Sequence, residues 1–136
     1  MIAGTEIGGV MAVLKVRDVL KPGESAVAIF TRGGRFERRE DGTGFTGNWM
    51  IRGDRKVDKV VIYKRDTKGN EHEVYVGVPV NIVESDEAGR RRIDMEDIRF
   101  IGTTNLNWNE FTETKRGAAN PIKYVTLAEL TRLASG

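Results

Sequence analysis

Cysteine is absent from the 136 residues, so disulfides and thiolate metal sites are excluded. A reducing compartment suits such a chain, and we expect a cytoplasmic protein. Histidine occurs once, as His72. It falls in "DTKGNEH", which reads as a polar turn, so a histidine-based triad has no support. No apolar run approaches the ~20 residues of a membrane span, and no membrane partner is expected. The apolar patch in "MIAGTEIGGVMAVLKVRD" has no positive segment before it, which argues against a secretory leader. The glycines of "GTGFTG", residues 42–47, lack the Gly-Lys-Ser/Thr ending of a phosphate loop.

What the chain does hold is charge. Charged residues make up 31% and hydrophobic ones 39%, the ordinary balance of a globular domain. The length fits one domain, residues 1–136, and lets the chain bury roughly two-thirds of its unfolded surface without a staple. The net charge of +2 is unevenly placed. Residues 1–65 carry 13 basic against 8 acidic side chains, a net of +5. Residues 66–114 carry 5 against 11, a net of −6, and residues 115–136 carry 4 against 1, a net of +3. A basic region of this kind attracts a polyanion, or forms a solvated face of mixed charge.

Hydrophobic patterning favours strands. "VMAVLKVRDVL" fits a helix or a strand equally. "KPGES" is a turn, "AVAIF" a buried strand, and "TRGGRFERREDGTGFTG" a glycine- and arginine-rich loose hairpin. "VDKVVIYKR" is rich in β-branched residues. In "EVYVGVPVNIVES", Val74, Val76, Val78, Val80 and Ile82 alternate onto one face. Pro79 cannot donate to a ladder, so its strand is expected at an edge or bulged near its middle. "RIDMEDIRFIG" is a further strand, or one broken at Glu96-Asp97. "NLNWNEFTETKRGAANP" reads as an ordered loop or irregular helix. "TLAELTRLAS" reads as a short helix opened by a Thr126–Glu129 capping box. The expectation is a mainly β (α+β) protein. Its sheet is curved and antiparallel or mixed, or closed into a β-barrel, with one or two short helices.

The segment "DKVVIYKRDTKGNEHEVYVGVPVNIV" runs from an apolar strand ending in an aromatic residue, through a polar turn, to a Val-x-Val-Gly strand. In this it resembles the central hairpin of PUA-like domains, especially their EVE and ASCH branches, over residues 47–83. Asp58, Val60, Val61, Tyr63, Val76 and Gly77 carry the resemblance, with Trp49 upstream. The usual opening Lys-Ser-Glu-Pro stretch of EVE domains is missing. The resemblance implies a PUA-like barrel and binding of RNA or modified nucleobases.

A bound base needs an aromatic platform and hydrogen bonds to its edge. Trp49 and Trp108 are the candidate platforms. Asn48, Asn105, Asn107 and Asn109 are the candidate edge readers, because an amide both donates and accepts. Arg35, Arg52, Arg55 and Lys56 are the candidate phosphate contacts. These groups are expected to converge at one mouth of the β scaffold and to bind nucleic acid, RNA or DNA, or a nucleobase-like ligand. No reaction, cofactor or metal is expected. Plainer fates stand beside these roles: Trp49 as core, the "RGGRFERRE" cluster as a solvated loop, Tyr63 and Tyr75 as cross-strand stacking partners. Two other functions stay open. Asp94, Asp97 and Glu113 with Lys115 would suit a Mg²⁺-dependent nuclease. The Pro79 strand and the terminal leucine helix would suit a protein-interaction module.

Overall fold

A computed structural model describes residues 6–7, 10–11, 14–49, 57–85, 87, 89–114 and 120–126. The protein is mainly β, as its patterning predicts. A two-stranded ribbon pairs β1 (Glu6–Ile7) with β2 (Val10–Met11). A single-turn 3₁₀ helix, Val16–Val19, leads to β3 (Ser25–Thr31). Then follow β4 (Phe36–Arg38), β5 (Gly44–Trp49), β6 (Lys59–Lys64), β7 (His72–Glu84) and β8 (Arg91–Thr104). The short helix α1 (Trp108–Thr112) precedes β9 (Ile122–Thr126). Seven strands form one mixed sheet in the order β4-β5-β8-β7-β6-β3-β9. Among the described residues no ladder joins β4 to β9, so a curved sheet is seen rather than a closed barrel.

The unbroken apolar runs of β3 and β6 have a physical reason. The two strands pair in parallel, Ala26 opposite Lys59 through Thr31 opposite Lys64. Both of their faces are covered, which removes any need for alternation. On one face Ala28, Val61, Tyr63 and Val74 meet Val16 and Leu20 from the 3₁₀ turn and Trp108 and Phe111 from α1. On the other, Val27, Ile29, Val60 and Ile62 join Ile93, Met95, Ile98 and Trp49. This second cluster is filled by the sheet curling onto itself. Phe36 of β4 lies 5.2 Å, ring to ring, from Tyr75 of β7, although β5 and β8 stand between their strands in the ladder.

The ladder between β7 and β8 shifts register at three points and that between β5 and β8 at one. Val76 pairs with Arg99 and Val78 with Glu96, so β8 carries an extra residue at Asp97-Ile98. Asp97 takes a left-handed φ of 51°, and the Ile98 amide donates instead to the Gly42 carbonyl at 2.8 Å. The expected break at Glu96-Asp97 is thus a bulge inside a 14-residue strand. Pro79 pairs with Met95 beside another register shift, beyond the last rung of β6, which pairs Val60 with Gly77. Its missing N–H therefore costs no β6 bond.

Helix α1 is opened by Asn107. Its side chain accepts from the Glu110 amide at 2.9 Å while Glu110 accepts from the Asn107 amide at 3.1 Å. This reciprocal pair satisfies two orphan donors of the first turn. Thr126, expected to cap a helix, ends β9 opposite Ser25. The leucine helix proposed after it lies outside the described residues.

Candidate functional site

The two tryptophans do not converge. Trp49 is buried in the cluster inside the curl, and its indole N–H donates to Thr46 Oγ1 at 2.9 Å. Trp108 is buried in the cluster on the opposite face, and its N–H donates to the Asn120 carbonyl at 2.8 Å. The expectation of a single mouth holding both indoles is therefore corrected. Each indole is too apolar to leave exposed on a strand or short helix, and each finds a separate apolar layer with one acceptor for its N–H.

The asparagines are similarly dispersed. Asn105 is exposed, Asn107 is spent as the cap of α1, and Asn109 Oδ1 accepts from Lys123 Nζ at 2.6 Å. Asn48 belongs to β5, but its side chain lies outside what the structure describes, as do Arg52, Arg55 and Lys56. Arg35 is exposed at a left-handed φ of 59° and holds its guanidinium 5.3 Å from the centre of the Trp49 ring.

The carboxylates offered for a metal are occupied separately. Arg92 Nε donates to Asp94 at 2.9 Å, Arg99 Nε to Asp97 at 3.0 Å, and Arg17 Nε to Glu113 at 2.7 Å. No group of three metal-ligating side chains occurs among the described residues. Lys115 lies outside them.

The sheet's curl instead assembles a groove of about 580 Å³ between β4, the β4–β5 turn, the end of β6, Tyr75 of β7 and the β8 bulge at Ile98. Phe36, Arg38, Arg39, Lys64 and Tyr75 line it, together with the carboxylates Glu40 and Asp41. Arg38 places its guanidinium 5.5 Å from the Tyr75 ring centre. Tyr75 also touches Phe100 of β8, 5.4 Å between rings. Burial, and then the hydrogen bond that the hydroxyl donates to Glu73 Oε1 at 2.8 Å, push the Tyr75 pKa upward. Lys64 is shared with a second groove of about 360 Å³ that adds Arg32 and Arg65 beside Asp66, Glu71 and Glu73.

Charge pairing around the two grooves is incomplete. Arg39 pairs with Glu37 at 3.1 Å and Lys64 with Glu73 at 3.5 Å. Arg32, Arg38 and Arg65 have no carboxylate partner among the described residues. Arg32 lies 5.2 Å from the Phe30 ring centre and Arg38 over Tyr75, while Arg65 rests against the His72 imidazole. Guanidinium groups stacked on rings, as at Arg32 and Arg38, keep edge N–H donors available to phosphate or carboxylate oxygens, whereas Arg65 directs one nitrogen at His72 Nε2.

Two buried polar groups lie beside this surface or behind it. His72 is not a turn residue: it opens β7 and is 1% exposed. The Asp66 amide donates to its Nδ1 at 3.0 Å. Burial, and then the Arg65 charge, lower its pKa, so the imidazole is neutral at pH 7. Lys123 is 7% exposed, and its Nζ donates to Asn109, Thr112 and Thr114 with no carboxylate. Burial lowers that ammonium's pKa to about 8.

Patterning in the sequence identified the arginine cluster of residues 32–39 but gave no sign of which ring it would meet. Arg38 and Tyr75 are 37 positions apart, and only the curl unites them. No protein-family model, curated protein or solved structure matches the chain.

Proposed function

We propose that the protein binds a phosphate-bearing polyanion, a nucleic acid, at the groove around Arg38 and Tyr75, without catalysing a reaction. One observation supports this reading: Arg32, Arg38 and Arg65, which have no salt-bridge partner among the described residues, flank Lys64 along two grooves that share it and that Glu40, Asp41, Asp66, Glu71 and Glu73 also line. Cations left unpaired beside aromatic rings are matched to anions arranged along a chain rather than to a single small acid. A PUA-like architecture belongs to the same proposal. The curved mixed sheet is compatible with it, and the nucleobase-binding habit of those domains agrees with the chemistry of the groove. The metal-dependent nuclease is disfavoured by the separate ion pairs of Asp94, Asp97 and Glu113.

The test is fluorescence anisotropy with a labelled single-stranded 12-mer across a salt series. Neutralising three or four phosphates gives a slope of log affinity against log salt of about −2 to −3. Removing one guanidinium by Arg38→Ala lowers affinity roughly tenfold and flattens the slope by about 0.7. A slope near zero in the wild type, or one that Arg38→Ala leaves unchanged, would overturn the assignment.

A further inference from the structure

We infer that the site selects unpaired bases, with Phe100, beside the groove and against Tyr75, as the platform on which one base stacks; this rests on the proposed polyanion site and names its substrate class. The inference starts from an oddity of burial. Phe100 lies within a 14-residue strand of the central sheet, yet its side chain is 48% exposed. Its cross-strand partner is Tyr75, the ring under Arg38. Tyr75 is crowded and only partly exposed. Arg38 stands over it, Phe36 meets it at 5.2 Å and Phe100 at 5.4 Å, with the rings tilted by 55° and 59°. The open aromatic surface of the row is therefore that of Phe100. Both Phe100 and the guanidinium of Arg38 contact the Tyr75 ring.

This juxtaposition has the form of a nucleotide contact. A base seated on Phe100 would place its flanking phosphate toward Arg38 and Lys64. A duplex cannot use such a platform, because its base faces are already stacked on each other, whereas a single strand offers a free face on every base. The other exposed apolar side chains near this edge belong elsewhere. Val78 and Ile101 line a separate groove with Leu14 and Val19. Ile101 has no rung of its own at the register shift between Phe100 and Gly102 and lies in that groove, whereas Phe100 is paired with Tyr75.

Competition binding with four probes of equal length tests this: a single-stranded 12-mer, its duplex, an abasic 12-mer and polyphosphate. The single strand is expected to bind roughly tenfold tighter than the other three, the worth of one stacked base. Phe100→Ala should bring the single strand down to the abasic level and leave polyphosphate binding unchanged. Phe100→Leu keeps the apolar volume without the π-face and should behave alike, which guards against a folding defect. Equal binding of all four probes with both variants inert overturns the inference and leaves the polyanion site standing. Binding of none of them overturns the site as well. A change of oligomeric state in Phe100→Ala, with nucleic-acid affinity unmoved, would instead assign the ring to a protein contact and overturn the inference.

Discussion

The substitution Gly44→Ala tests the groove without changing any charged or aromatic side chain that lines it. Gly44 is buried in β5, opposite Met95 on one side and Arg38 on the other. A Cβ placed there would sit 1.9 Å from the Glu37 carbonyl oxygen and 2.8 Å from Ile98 Cδ1. The isoleucine methyl can turn aside, but a backbone carbonyl in a ladder cannot. Relief requires β4 to move by more than 1 Å, on the order of the shortfall from an ordinary carbon–oxygen contact. Overpacking of this kind costs about 3 kcal/mol, at the upper end for a single added methyl group, because the obstacle is main chain. For a domain of this size that lowers Tm by roughly 10 °C. Because β4 carries Phe36 and Arg38, the same displacement pulls the guanidinium away from Tyr75, and oligonucleotide affinity should fall with stability. Gly34→Ala is the internal control, since a Cβ there meets nothing within 4 Å. Thermal unfolding followed by circular dichroism, with anisotropy on the same samples, reads both effects. Should Gly44→Ala melt within a degree of the wild type and bind equally well, the close approach of β4 to β5 and its role in shaping the groove are wrong.

Two further predictions concern pH. Protonation of His72 is disfavoured in the folded protein, so the unfolded chain takes up the proton first; stability is full above the ordinary value of 6.5 and declines as pH falls below it. Urea unfolding at pH 7.5, 6.5 and 5.5 should show this decline, and His72→Gln should flatten it; a parallel decline in the variant would exclude His72 as the source. Lys123 behaves the same way at higher pH. Its folded pKa of about 8 lies below the unfolded 10.5, so its contribution to stability rises as pH climbs from 8 towards 10.5. Measurements belong between pH 8 and 10, because burial holds the Tyr63 pKa at about 12 and the unfolded chain ionises that tyrosine first above pH 10. The rise should vanish in Lys123→Met, and its persistence there would show that another group titrates.

Much of the fold was legible along the chain. The β-branched run Val60–Val61–Ile62 and the alternating valines of β7 have no helical reading, and both are strands. The bulge at Asp97 was visible as a pair of acids interrupting an apolar pattern. Pro79 announced an irregular strand, and the structure places a register shift beside it. The site was legible only in part. Composition showed a cationic segment, and Arg35 and Arg38 do lie at the surface. Core packing, the plainer fate of Trp49 beside Met50 and Ile51, is the one it has; Trp108 misled, because a large ring among asparagines has the same sequence signature whether it caps a core or faces a ligand. Both indoles found an apolar layer and an acceptor. His72 misled for a related reason: a turn-like sequence around it gives no warning that a backbone amide and burial will enclose the ring.

The amino-acid order determined which segments are strands, because side-chain period and β-branching act between near neighbours. It determined the uneven charge too, which is a sum and needs no geometry. Which ring meets which guanidinium was decided by the curl of the sheet, which brings β4 over β7 across two intervening strands. Contacts of that kind depend on accumulated twist and on bulges such as that at Asp97-Ile98. These are set by the packing of the whole sheet, so no local stretch of residues encodes them.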